Sequence, residues 1–241
     1  MQINILHNGK EIGFPNSCIP GSYGSRIKST SYLNEFRVKD GNLHLNSDFL
    51  FRLICYNNIR KIINGNYRSN LDVFGGVGIT AKLFSQRDEW TFVNEIDPVC
   101  RTILRINFPI ANVIQKDVLK ETFIENFDLV LADFNDFTIG RFLNGNYKNV
   151  LDNIFRISQR YVIINDCSIY TLKYKRGDIK NAEELFTKEK KIFEDRYPGW
   201  RLTHIEYFCN SSFLLFEQGS TREFSANKVT SNKEQIITCT L

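Results

Sequence analysis

Residues 71–78, Leu71-Asp72-Val73-Phe74-Gly75-Gly76-Val77-Gly78, constrain this chain more than any other stretch. A short apolar run ends in a glycine cluster, and Ile79-Thr80-Ala81-Lys82-Leu83-Phe84 continues with helical character. Glycine lets the backbone turn sharply and come close to a ligand, and a helix N-terminus supplies N–H groups that have no partner inside the helix. Strand, glycine turn and helix in that order make a nucleotide-binding loop.

Three further apolar runs close on polar residues. Trp90-Thr91-Phe92-Val93-Asn94-Glu95 ends in an acid 23 residues after Asp72. A carboxylate at the end of a second strand, at that distance from a glycine loop, suits both hydroxyls of a ribose. Val113-Ile114-Gln115-Lys116-Asp117 ends a third run and Phe127-Asp128-Leu129-Val130-Leu131-Ala132-Asp133 a fourth. Four such runs place a row of side chains along one edge of a parallel sheet, where ligands of open α/β sheets bind.

Taken together, these stretches resemble the motifs of the class I S-adenosylmethionine-dependent methyltransferases. The segment 72–78 is similar to their first motif, D-x-F-x-G-x-G. Asn94-Glu95-Ile96-Asp97-Pro98 resembles the second, Lys116-Asp117-Val118-Leu119 the third, and Phe127 to Phe137 stands where the substrate-facing fourth would be. The resemblance covers about Asn70 to Phe216, and the Asn-Glu-Ile-Asp-Pro wording is most like tRNA guanine methyltransferases.

The resemblance implies an α/β, Rossmann-like fold: a seven-stranded, mostly parallel sheet with a C-terminal antiparallel hairpin. It also implies S-adenosylmethionine as cofactor. Backbone N–H groups around Gly75, Gly76 and Gly78, in the loop that holds Phe74, would take the carboxylate of its amino acid tail. Asp72 would orient the loop and meet the ammonium. Glu95 would accept from the ribose, Ile96 would pack on the adenine, and Asp117 would accept from the adenine amine or simply cap a turn. Asp133, Asn135 and Asp136 become the candidate catalytic residues, with Asp133 also beside the cofactor. Phe134 and Phe137 could stack on a base. Amino-methyltransferases acting on adenine commonly carry Pro-Pro-aromatic after the acid or Asn of this motif. Asp133-Phe134-Asn135-Asp136-Phe137 has no Pro, which stands against an N6-adenine target.

Along the rest of the chain, 1–46 reads as an extension with turn signals at Phe14-Pro15-Asn16-Ser17 and Ile19-Pro20-Gly21. Arg26, Lys28, Arg37 and Lys39 lie there with Tyr23, Tyr32 and Phe36, a mixture that can hold a polynucleotide or merely cover the pocket. The resemblance implies a methyltransferase domain over 47–217. It opens with a helix capped by Asn46-Ser47-Asp48 whose expected role is packing. Asp97-Pro98 starts another helix well, because Asp caps and Pro suits the first turn. Tyr161-Val162-Ile163-Ile164 forms a fifth strand, and Trp200 to Phe208 with Phe213 to Phe216 a closing hairpin. Between these, Lys173, Lys175 and Arg176 lie on a basic loop that could contact a substrate backbone. Residues 218–241 read as a polar, flexible tail.

Composition sets the outer limits. With 42% hydrophobic and 24% charged residues, the chain is expected to be globular and soluble. It has no apolar run of membrane-spanning length and no signal-peptide pattern, and no membrane partner is expected. Six cysteines at 18, 55, 100, 167, 209 and 239 include no C-x-x-C pair, which fits a reducing cytoplasm and neither a zinc site nor a disulfide framework. Cys167 is the one candidate nucleophile near the sheet edge, and a buried inert thiol is the plainer reading. The net charge of +4 permits a nucleic-acid partner, RNA or DNA, without requiring one. Two other readings compete. One is a binding subunit that has kept the fold and lost catalysis. The other is a nicotinamide-dependent dehydrogenase, which Gly75-Gly76-Val77-Gly78 disfavours because it does not fit G-x-G-x-x-G.

Overall fold

The computed structural model describes residues 3–4, 6–7, 10–11, 36–39, 42–45, 47–86, 90–134, 147–166, 182–208, 211–219 and 225–228. Short N-terminal strands come first: β1 (Ile3–Asn4), β2 (Leu6–His7), β3 (Lys10–Glu11), β4 (Phe36–Lys39) and β5 (Asn42–Leu45). Then follow α1 (Ser47–Ile63), β6 (Asn70–Asp72), α2 (Ile79–Leu83), β7 (Thr91–Asn94), α3 (Pro98–Asn107), β8 (Asn112–Ile114), β9 (Phe127–Phe134), α4 (Tyr147–Ile157), β10 (Ser158–Asp166), α5 (Ala182–Arg196), β11 (Trp200–Phe208), β12 (Ser211–Gln218) and β13 (Ser225–Lys228).

The main sheet has the order β13-β11-β12-β10-β9-β6-β7-β8. β12 runs antiparallel to β10 and β11, and the other described pairings are parallel. All seven expected strands are present, including the closing β11–β12 hairpin. An eighth, β13, lies within the stretch expected to be a flexible tail. It pairs His204 to Tyr207 with Ser225 to Lys228, giving hydrogen-bond partners to an edge that β11 would otherwise leave open. A second departure is N-terminal. β1, β5 and β4 form a small antiparallel sheet and β2 pairs with β3, in a region where only turns were expected. β4 and β5 pair antiparallel, with Phe36 opposite Leu45 and Lys39 opposite Asn42.

Alternating burial builds one core layer on each side of the sheet. Val130, Ala132, Val162, Ile164, Leu214 and Phe216 face α4 and α5, where Leu151, Ile154, Phe155, Phe193 and Tyr197 complete one cluster. Leu129, Leu131, Ile163, Phe213 and Leu215 face the other way, against Leu53, Tyr56, Ile59 and Ile63 of α1. The ends of α1 and α3 follow the local chemistry. Asn64 (φ 45°) and Gly65 (φ 67°) turn the chain out of α1. At α3, Asp97 Oδ1 accepts from Cys100 N–H at 3.0 Å, with Pro98 as first helical residue.

The chain leaves β6 for β7 and β8 on one side, then returns with β9 on the other. That reversal opens a crevice at the carboxyl ends of β6 and β9, the place where open α/β sheets bind ligands. Among the described residues no helix is long and apolar enough to cross a membrane.

Candidate functional site

Three acids reach the C-terminal edge of the sheet beside this crevice. Asp72 ends β6, Glu95 follows β7, and Asp133 lies near the end of β9. Asp72 is 2% exposed and accepts from Phe74 N–H at 3.3 Å. Burial, and then the nearby Asp133 carboxylate, pushes its carboxyl up to about 8. Glu95 is 7% exposed. Burial raises it to about 7, against the pull of two backbone N–H groups. Those donors are Gly76 N–H to Oε2 and Asp97 N–H to Oε1, each at 2.7 Å. Arg101, on α3, folds back to donate to the carbonyls of Glu95 and Ile96, fixing the turn that carries the acid.

The glycine loop is shaped by packing. A Cβ on Gly75 would lie 1.9 Å from Val93 Cγ1, and one on Gly78 would lie 2.2 Å from Leu104 Cδ1. Gly76 and Gly78 also have φ of 52° and 84°, where side-chain-bearing residues are strained. The loop's N–H groups were expected to hold a ligand carboxylate, and the structure commits them internally. Gly75 donates to Asn94 O (3.0 Å), Gly76 to Glu95, and Gly78 to Gly75 O (2.8 Å). The glycines therefore bring β6, β7 and Glu95 close together rather than presenting an open row of donors. Asn94 completes the bracing: it donates to Val73 O and Lys116 O and accepts from Lys116 N–H, tying three strand ends together.

Asp133 sits in a network that sequence reasoning did not find. Arg52 of α1 forms an ion pair with Oδ2, and Tyr56, one helical turn on, donates to the same oxygen at 3.2 Å. Asn165 Nδ2 donates to Oδ1 at 2.9 Å. Asp133, Asn165, Phe213 and Glu206 are register neighbours across four strands and so share one face. Asn165 Oδ1 is buried with no hydrogen-bond partner among the described residues. The Tyr56 hydroxyl is held well above its usual range by burial and by Asp133, so it stays a donor. Arg52 and Tyr56 left a faint signal in the sequence, polar groups at i and i+4 on an otherwise apolar helix face.

The other expected site residues fall into three groups. Ile96, next to Glu95, is 37% exposed, and Phe74 is half-buried at the loop. Asp117 caps a turn: it accepts from Leu119 N–H at 3.1 Å and pairs with Lys120 at 3.1 Å, and that lysine first of all holds its carboxyl below the usual range. Asn135, Asp136, Phe137, Lys173, Lys175, Arg176 and Cys167 lie outside the described residues, and Phe134 is described in its backbone only.

No family model matches the sequence, and no curated protein matches it. Solved structures do. The N-methyltransferase NodS from Bradyrhizobium japonicum WM9 aligns over 72% of this chain and 99% of its own, at 9% identity and a TM-score of 0.52. The same enzyme in complex with S-adenosyl-L-homocysteine aligns over 73% and 89%, at 12% identity and a TM-score of 0.50. An S-adenosylmethionine-dependent methyltransferase from Clostridium acetobutylicum aligns over 72% and 96%, at 11% identity and a TM-score of 0.49. Strand order, closing hairpin and the two NodS superpositions agree: the chain has the fold of the class I S-adenosylmethionine-dependent methyltransferases.

Proposed function

We propose that this protein is an S-adenosylmethionine-dependent methyltransferase that acts on a nucleic-acid base. The observation that carries the cofactor assignment is the pair of buried carboxyls, Asp72 and Glu95, at the mouth of the β6–β9 crevice. A carboxylate has about four acceptor positions. Glu95 uses one on each oxygen for Gly76 and Asp97, which leaves one on each for the two hydroxyls of a ribose. Asp72 accepts a single long bond in a buried, acid-rich setting, and an incoming ammonium satisfies it. The exposed Ile96 beside Glu95 offers an apolar face to an adenine. When bound, the cofactor supplies an electrophilic methyl group on a sulfonium.

For such a displacement the protein needs chiefly to position the nucleophile. Asp133 is aimed and held by Arg52, Tyr56 and Asn165, and its Oδ1 has an acceptor position left for an amine of the target base. The buried Oδ1 of Asn165 is a second acceptor beside it. Asn135 and Asp136 remain candidates for the same task, and Phe134 and Phe137 for stacking. The basic composition and Lys173, Lys175 and Arg176 support a polyanionic substrate. Cytoplasmic location accords with six scattered cysteines that include no C-x-x-C pair.

A methyl-labelled cofactor incubated with the protein and with pooled RNA, DNA and protein acceptors tests this reading. Label in one nucleic-acid pool, lost in Glu95→Ala, is expected. Cofactor binding without transfer to any pool would favour the catalytically silent binding subunit, and transfer to protein or small molecules alone would overturn the nucleic-acid assignment.

A further inference from the structure

The register of the β4–β5 hairpin sorts its residues into two sets. Phe36 pairs with Leu45 and Val38 with Leu43, whereas Arg37 pairs with His44 and Lys39 with Asn42. Successive strand residues alternate between faces and paired residues share one. Phe36, Val38, Leu43 and Leu45 therefore belong to one face, and Arg37, Lys39, Asn42 and His44 to the other. β1 extends both sets, with Ile3 beside Leu43 and Asn4 beside Asn42. Register thus sorts the apolar residues of the small sheet from Arg37, Lys39, Asn42 and His44.

In the chain it leads directly into α1. A single residue separates Leu45 of β5 from Ser47 of α1. Arg52 then pairs with Asp133 at the C-terminal edge of the main sheet, and Tyr56 bonds the same carboxylate. At 1.5 Å rise per residue, the start of α1 lies about 8 Å along the helix from Arg52. A second set of contacts fixes the helix: the Tyr56 ring meets Phe213 edge-on at 5.0 Å, and Asn58 donates to the buried Glu206 at 3.2 Å. These contacts seat α1 on the sheet, so the first turn of α1, which follows β5 after one residue, starts close to the edge that holds Asp133.

We propose that the Arg37–Lys39 face of this hairpin takes the sugar–phosphate backbone of a polynucleotide whose target base is presented to Asp133. The proposal rests on the nucleic-acid reading above and names the element that grips the substrate. Cations on a strand meet phosphates without reading sequence, so the hairpin governs affinity and its salt dependence, and the Asp133 network governs the base.

The test is fluorescence anisotropy of labelled RNA and DNA of one sequence, single-stranded and duplex, at several salt concentrations. It compares wild type with Arg37→Glu/Lys39→Glu, and titration with S-adenosylhomocysteine serves as a control. Two lost phosphate contacts should make the slope of log K against log salt shallower by about 1.4 on single strands. Affinity at low salt should fall at least ~10-fold, with homocysteine-product binding unchanged. The preferred polymer tells RNA from DNA. An unchanged slope in the double variant, with methyl transfer intact, overturns the hairpin assignment and leaves the enzyme reading standing. Wild type that binds no polynucleotide overturns both. Should charge reversal unfold the protein, Arg37→Gln/Lys39→Gln must show the same loss of slope, and its failure to do so is equally fatal to the proposal.

Discussion

Asp72→Asn should make the ligand-free protein more stable. Asp72 is buried, has the Asp133 carboxylate nearby, and has its carboxyl raised from 3.8 to about 8. The unfolded chain ionises this group near its ordinary value and the folded chain does not. A folded-state value above the unfolded one stabilises fully at low pH, and that contribution is lost as pH rises toward 8. From pH 3.8 to 7 is roughly three decades, and each is worth 1.36 kcal/mol, so about 4 kcal/mol of stability is surrendered at pH 7. Asparagine has the same shape, keeps an acceptor for Phe74 N–H and never ionises. The variant should gain up to ~4 kcal/mol at pH 7, and its stability should fall with pH less steeply by up to ~1.4 kcal/mol per unit between pH 5 and 7. Urea unfolding of both proteins at pH 5, 6, 7 and 8, followed by the fluorescence of Trp90 and Trp200, measures this. An Asn variant no more stable than wild type at pH 8, or with the same pH slope, refutes the reasoning. The same substitution should abolish cofactor binding, the usual exchange of stability for function at a site.

Further expectations follow from single contacts. Gly78→Ala forces a Cβ against Leu104 at φ 84° and should destabilise by about 2–4 kcal/mol by denaturant titration. Arg52→Met leaves Asp133 without its cation in a setting where both side chains are about 15% exposed, and should cost ~3 kcal/mol and lower methyl transfer more than cofactor affinity. Phe155→Ala removes a ring stacked on Tyr197 at 3.8 Å in the α4–α5 core and should cost about 3–5 kcal/mol while leaving cofactor affinity unchanged. Glu95 is raised to about 7, so binding that needs its carboxylate should tighten as pH rises from 6 to 8, measured by titration at each pH.

Much of this architecture is legible from residue patterns. Asp97-Pro98 announces α3 because a cap and a proline act within one turn. The strands β6 to β12 are apolar runs bounded by polar residues, and a buried parallel sheet needs such runs. Asp72 and Glu95 could be placed at the sheet edge because strand ends and loop spacing are local facts. What escaped depends on partners far away in the chain. The loop N–H groups are consumed by Asn94, Glu95 and the loop itself, which only the folded register reveals. Arg52 and Tyr56 gain a role only when the fold sets Asp133 of β9 opposite them. β13 has no apolar pattern, and it forms because β11 has an open edge.

The most direct test of the cofactor site is calorimetric titration with S-adenosylmethionine and its demethylated product, on wild type and Glu95→Ala. The account predicts binding by wild type that Glu95→Ala weakens by about 1–3 kcal/mol, the cost of leaving buried polar groups unpaired. No binding by wild type, or equal binding by the variant, would contradict it.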